Sequence, residues 1–186
     1  MTISNNIIPE KYKSYKIKKI ESDASKRFFY RLSNKNESVV LMDSRNEKEE
    51  YLNYINVHAY LSQINISIPI IKEKNDKNYI LVLEDLGDLR FDKILSKYEL
   101  KVLLEIAIKA LINIKNNISF NDKYKLTIYN FDMLVKEISE FPNYYYPFVN
   151  KKKIPDVLKN EFYQYWDNWY NSIDFDFSNF VHKDFN

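Results

Sequence analysis

Apolar and polar positions alternate along the early part of the chain and recur at helical spacing in the later part, so strands are expected first and helices after them. The short run Tyr15 to Glu21 ends in the small polar cluster Ser22-Asp23-Ala24-Ser25. From Lys26 to Leu32, Phe28, Tyr30 and Leu32 fall on one face and Arg27, Phe29 and Arg31 on the other. Two such runs around a small-residue cluster predict a β-hairpin. Ser38 to Asp43 (SVVLMD) is a short β-branched run and predicts a third strand. Between Glu47 and Gln63 the period becomes helical, with Leu52, Ile55, Ala59 and Ser62 along one face. Pro69-Ile70-Ile71 and Tyr79 to Leu83 predict a strand pair joined by the polar loop Lys74 to Lys77. The expected order is β-β-β-α-β-β.

The second half reads as helical. Between Glu99 and Lys115, Leu100, Leu103, Leu104, Ala107, Leu111 and Ile114 share one face, the clearest amphipathic pattern in the chain. Pro155 opens a further helix whose stripe is Leu158, Phe162, Tyr165, Trp169 and Ile173. The segment Phe141 to Phe148 (FPNYYYPF) reads as a packed irregular connection or helix end, with its aromatics assigned to core rather than to a ligand platform. No internal repeat and no flexible linker is present. The character changes at Glu84-Asp85-Leu86-Gly87-Asp88, which divides a β-rich lobe, residues 1–85, from a helical lobe, residues 86–186.

Composition narrows the chemistry. The chain has no Cys, two His and a single Gly in 186 residues. A disulfide framework, a thiolate metal site, an HExxH metal site and the glycine-rich nucleotide fingerprints are thereby excluded. Basic and acidic side chains number 28 and 26, a net charge of +2 that makes no case for a general nucleic-acid or membrane footprint. With no long apolar run and no signal-peptide pattern at MTISNNIIPEKYK, a soluble cytoplasmic protein is expected. The basic stretch Lys11 to Lys19, interleaved with Tyr12 and Tyr15, reads as a solvated edge strand; single-stranded nucleic-acid binding is the rival reading. No pattern specifies an oligomeric state.

One short motif carries chemistry. Phe180-Val181-His182-Lys183-Asp184 has an apolar pair before His-x-Asp, the pattern of a phosphotransferase catalytic loop, although alone it also reads as a solvated chain end. The order that precedes it, a β-rich lobe with one helix, an acidic connector and a helical lobe, is that of a kinase. The chain resembles the aminoglycoside phosphotransferase-like family, in particular the bacterial N-acetylmuramate/N-acetylglucosamine anomeric kinases. The resemblance rests on Ser22-Asp23-Ala24-Ser25-x-Arg27 with Tyr30-Arg31, Val39-Val40-Leu41-Met42-Asp43, Leu83-Glu84-Asp85-Leu86-Gly87 and Val181-His182-Lys183-Asp184, with Ile138-Ser139-Glu140-Phe141-Pro142 in support. It implies an α+β, protein-kinase-like two-lobe fold: an antiparallel-sheet N-lobe with one helix, followed by an incomplete helical C-lobe.

The same resemblance implies roles. Ser22, Asp23, Ala24 and Ser25 would form the phosphate turn, with small side chains and backbone N–H groups in place of a glycine-rich loop. Arg27 and Arg31 suit phosphate oxygens, and pairing with Asp or Glu on an exposed strand face is the equal alternative. Glu84, Asp85 and Leu86 would be the hinge that meets the adenine edge, with a plain turn closed by Gly87 as the alternative. Asp184 would orient the attacking hydroxyl and His182 would hold the loop. His58 reads as part-buried or solvated, and Glu47, Glu49 and Glu50 as helix N-terminal charge or, for one of them, a partner of a phosphate-binding cation. ATP with Mg2+ and a small amino sugar are the expected cofactors and substrate, for cell-wall sugar recycling. Two departures qualify this. Met42-Asp43 stands where protein kinases place their ATP-binding Lys; the amino-sugar kinases also show Met-Asp here, which supports that branch and leaves the phosphate cation unassigned. The family's metal-binding Asn and Asp would lie past Asn186, so the chain reads as a fragment ending inside its catalytic loop and is expected to be inactive alone. A non-catalytic, pseudokinase-like nucleotide-binding module is the alternative function.

Overall fold

The computed structural model describes residues 5–21, 26–64, 66–117 and 129–174. Contacts divide these into two units, 5–117 and 129–174. The first is built on a five-stranded sheet in the order β1-β2-β3-β5-β4. Its strands are β1 Lys16–Ile20, β2 Phe28–Ser33, β3 Ser38–Asp43, β4 Ile71–Asn75 and β5 Ile80–Glu84. Every neighbouring pair is antiparallel, and the helix α1, Lys48–Leu61, lies in sequence between β3 and β4. The expected β-β-β-α-β-β order is therefore present, in an α+β arrangement.

Alternation explains the two faces. Tyr30 and Leu32 of β2, Val39 and Leu41 of β3, and Ile80 and Val82 of β5 are buried in one cluster, with Phe28 packed against it. The opposite face carries Met42, Leu81 and Leu83, covered by Tyr51 of α1 and flanked by Phe29, Val40, Tyr54 and Ile55. The first cluster is closed by Ile7, Ile8 and Tyr12, from the 3-10 turns Asn5–Ile7 and Glu10–Tyr12. The hairpin between β2 and β3 is fastened by Asn34, whose Oδ1 accepts from the N–H groups of Asn36 and Glu37, both at 2.8 Å.

Three expectations shift. The buried stripe of α1 runs through Tyr51, Tyr60 and Leu61 rather than Leu52, which is 56% exposed. Tyr51 can serve as a core residue because its hydroxyl donates to Asp76 at 2.7 Å, so no polar atom is stranded. The turn between β4 and β5 lies two positions later than Lys74 to Lys77, since β4 continues to Asn75 and Tyr79 takes the left-handed conformation (φ 54°). Strand β1 is an edge strand with Lys16, Lys18 and Lys19 exposed, as the basic pattern suggested. After β5 come the short helix α2, Phe91–Ile94, and α3, Leu100–Asn116. On α3 only Leu103 and Ile114 of the expected stripe are buried, while Leu100, Leu104 and Leu111 are exposed; the helix is apolar on several faces, not one.

The second unit is helical. Helix α4, Phe131–Ile138, starts at Asn130, whose Oδ1 accepts from the Met133 N–H at 3.1 Å. A wide helical turn, Phe141–Tyr145, and the short helix α5, Tyr146–Asn150, follow. Helix α6, Asp156–Ser172, begins just after Pro155. The Phe141 ring stacks on Phe162 of α6 at 5.4 Å, and Phe131 meets Tyr170 at 4.7 Å. The expectation that the FPNYYYPF aromatics form core is corrected: Pro142 is buried, but Phe141, Tyr144, Tyr145 and Phe148 are exposed. The segment is helical, so its side chains radiate in several directions and only part of the ring surface can face α6. No helix among the described residues is long and apolar enough to cross a membrane.

Candidate functional site

The β2, β3 and β5 side chains that share the α1 face form the candidate site. Along this face β2 carries Phe29 and Arg31, β3 carries Ser38, Val40 and Met42, and β5 carries Leu81 and Leu83 and leads into Asp85. Its most polar part is a cluster where β5 leaves the sheet. Arg31 donates from Nε to Asp85 Oδ2 at 2.6 Å and from Nη2 to Asp85 Oδ1 at 2.9 Å. Its third nitrogen, Nη1, donates to Asp88 Oδ2 at 2.8 Å. The Ser38 hydroxyl donates to Asp85 Oδ2, and the Gly87 N–H donates to Asp85 Oδ1 at 3.0 Å.

Register explains why these groups meet. Arg31 lies opposite Val40 and Val40 opposite Leu83, so the guanidinium reaches across the start of β3 to the residue that follows Glu84. The Asp85 side chain is 7% exposed and that of Arg31 19%. Burial alone would raise the Asp85 carboxyl, but hydrogen bonds from Arg31, Ser38 and the Gly87 N–H outweigh it and hold the group below the ordinary carboxylate value. The bonds to Asp85 and then to Asp88 raise the Arg31 guanidinium, and its contact holds Asp88 below the ordinary value. Arg31 thus pairs with carboxylates on its strand face, one of the two arrangements open to it. Gly87, with φ 78°, closes the turn in a conformation that favours glycine. Leu86 is exposed between the two anchored aspartates. Glu84 is tied to the neighbouring strand: its N–H donates to Ile70 O at 2.8 Å, and its Oε2 accepts from the Ile70 N–H at 3.2 Å.

At the other end of the face, Met42 is fully buried beneath Tyr51. A cation at this place is thus absent from the sequence and from the packing alike. Asp43 points to the opposite face, where Arg45 grips it through Nε at 3.0 Å and Nη2 at 2.8 Å. Burial, and then the nearby Asp43 charge, raise the Tyr30 hydroxyl. Arg27 sits just before β2 with its guanidinium 5.8 Å from the Phe29 ring, and Lys26 pairs with Glu47 at 3.4 Å. These contacts bring the start of β2 to the first turn of α1. Glu49 and Glu50 lie in that turn, as the dipole favours. His58 is held by the Pro69 carbonyl at 2.8 Å and stacks on Tyr54, a structural position.

Ser22, Asp23, Ala24, Ser25, His182 and Asp184 lie outside the described residues. Among the described residues no group of three His, Asp or Glu side chains could hold a metal ion. Asp43 and Asp85 are each saturated by an arginine, so neither suits Mg2+ without giving up that partner. Sequence reading offered carboxylate pairing for Arg31 but did not name Asp85 and Asp88 as its partners.

No family model matches the chain. Over 124 residues, 67% of this chain, it is 28% identical to the N-acetylmuramate/N-acetylglucosamine kinase of Pseudomonas aeruginosa. That stretch covers 36% of the relative's length, so the similarity extends to a kinase-like relationship over little more than a third of that protein.

Proposed function

We propose that the chain provides the nucleotide-binding portion of an ATP-dependent phosphotransferase of the aminoglycoside phosphotransferase type. In this reading the γ-phosphoryl group passes from ATP to a hydroxyl of a small amino sugar, and ADP leaves. Ser22 to Ser25 and Arg27 would receive the phosphates, the backbone of Glu84, Asp85 and Leu86 would meet adenine, and Asp184, steadied by His182, would take the hydroxyl proton. Bound Mg2+ would neutralise charge on the phosphates. The reaction would take place in the cytoplasm, where ATP is at hand.

The observation that carries the reading is the similarity to an amino-sugar kinase across most of this chain. The antiparallel sheet, with one helix between its third and fourth strands and a turn after β5, supports it. Arg27 follows the Ser22 to Ser25 turn by two positions in sequence, and its neighbour Lys26 pairs with Glu47 at the start of α1. The burial of Met42 at the place of the kinase lysine favours a second reading, a nucleotide-binding module without catalysis.

Titration calorimetry of the chain with ATP, with and without Mg2+, separates the readings. Magnesium-dependent ATP binding, lost in Arg27→Ala, supports the phosphotransferase. Equal binding without Mg2+ supports the non-catalytic module, and no ATP binding overturns both.

A further inference from the structure

The contacts of Arg31 are more extensive than the sheet requires. Its bidentate pair with Asp85 is largely desolvated and ties β2 to the end of β5 across β3. The third nitrogen goes to Asp88, whose side chain is 66% exposed. An exposed ion pair contributes little to stability. What it does is fix the far end of a four-residue span. Asp85 anchors the near end, the Gly87 N–H ties the middle back to Asp85, and Leu86 and Gly87 form the projecting tip. One guanidinium thus clamps both ends of the segment that follows β5.

We propose that Arg31 is a positioning residue that presets the backbone of residues 84–86 for the edge of a purine base. This rests on the nucleotide-binding reading above and adds a determinant of base discrimination to it. Backbone N–H and C=O groups distinguish adenine from guanine only if their directions are held, because the two edges exchange donor for acceptor. A segment free to reorient can satisfy either base and gains less from each, since ordering it costs affinity. With Asp85 and Asp88 both held, the directions are set before ligand arrives. All three Arg31 nitrogens are taken up by Asp85 and Asp88, so its effect falls on the base and not on the triphosphate.

The test compares three ligands on the full chain with Mg2+: ATP, GTP and inorganic tripolyphosphate. Asp88→Ala removes only the exposed arm and keeps the buried pair, so folding is preserved. The expected result is about a five-fold loss of ATP affinity, unchanged tripolyphosphate affinity and a matching fall in the ATP to GTP ratio. Asp88→Glu, which can still reach Nη1, is expected to restore most of the ratio. Arg31→Lys, which cannot span both aspartates, is expected to lower the ratio further, by about ten-fold. A parallel loss for all three ligands would mean that the clamp is structural only and would overturn the proposal. So would unchanged ATP binding in Asp88→Ala when the parent chain binds ATP. A parent chain that binds tripolyphosphate but no purine nucleotide overturns it as well, and one that binds none of the three removes the nucleotide reading itself.

Discussion

Arg31 and Asp85, 54 positions apart in sequence, face each other with two parallel N–H···O bonds of 2.6 and 2.9 Å. The pair joins the second strand to the end of the fifth across the strand between them. The Asp85 carboxylate accepts two bonds from Arg31, one from Ser38 and one from the Gly87 N–H. Breaking such a pair by removing one partner is costly, because the other charge is left desolvated.

This relationship sets an acid dependence. The Asp85 carboxyl is held below its ordinary value of 3.8 when folded. Above that value both folded and unfolded chains carry the charge, and the stabilisation is fully present. As pH falls through it, the unfolded chain binds a proton first, and stability is lost progressively down to the lower folded value. Urea titrations from pH 6 to pH 3 should therefore show a falling midpoint below about pH 4, and Asp85→Asn should flatten that limb. At neutral pH the substitution is expected to cost about 2–4 kcal/mol. An acid limb of equal steepness in Asp85→Asn would show that other carboxylates carry it.

Met42 makes a second prediction. In the proposed phosphotransferase reading Met42 stands where protein kinases hold a cation, and it is a fully buried thioether under Tyr51. Met42→Lys would put an ammonium among Leu81, Leu83 and Tyr51 with no carboxylate to meet it. The expected cost is at least about 3 kcal/mol, whereas Met42→Leu should cost less than about 1.5 kcal/mol. Equilibrium urea unfolding of both variants checks this. A Met42→Lys chain as stable as its parent would mean that a partner such as Glu47 or Glu50 can swing in.

Much of the sheet was legible because strand alternation records burial directly: Tyr30, Leu32, Val39 and Leu41 are buried as the period of two required. The face of α1 was not, because Leu52, Ile55, Ala59 and Ser62 also make a regular helical stripe, and only the Asp76 partner shows that the Tyr51 hydroxyl can sit in the core. Ile7, Ile8 and Tyr12 lie in a polar stretch without periodicity, and only long-range packing against the sheet makes them core. The arginine latch follows the same logic. Alternation says which face Arg31 occupies, but the partner is chosen by strand order, and the sequence does not state that β5 lies beside β3. The Phe141 to Phe148 aromatics misled for the opposite reason: composition suggested burial, and helical geometry turned most of them outward.

Gly87 tests how much of the latch depends on backbone conformation. Its φ of 78° is left-handed, and a Cβ added there would meet nothing within 4 Å. The cost of Gly87→Ala is thus conformational alone, about 1 kcal/mol, and Gly87→Asn should cost less because Asn tolerates this region. Both variants should keep the Arg31 to Asp85 pair, so the acid limb of the parent should persist in them. A loss much larger than about 2 kcal/mol in Gly87→Ala would show that the turn cannot absorb the change without releasing Asp85.

The helical unit offers a separate measurement. Phe141 stacks on Phe162 with centroids 5.4 Å apart and planes at 20°, and this ring pair joins the wide turn Phe141–Tyr145 to α6. A double-mutant cycle of Phe141→Ala and Phe162→Ala should return a coupling of about 0.5–1.5 kcal/mol, the range for aromatic pairs beyond their burial. Phe148 lies in the same aromatic run but is 72% exposed, so Phe148→Ser should change stability by less than about 0.5 kcal/mol. The contrast is the point of the measurement. If Phe148→Ser destabilised the unit as much as Phe141→Ala, the exposed rings would be buried in solution against something other than α6. Zero coupling between Phe141 and Phe162 would instead mean that Pro142 and the Lys159 to Asn143 hydrogen bond of 3.1 Å hold the turn to α6 without the stacked rings.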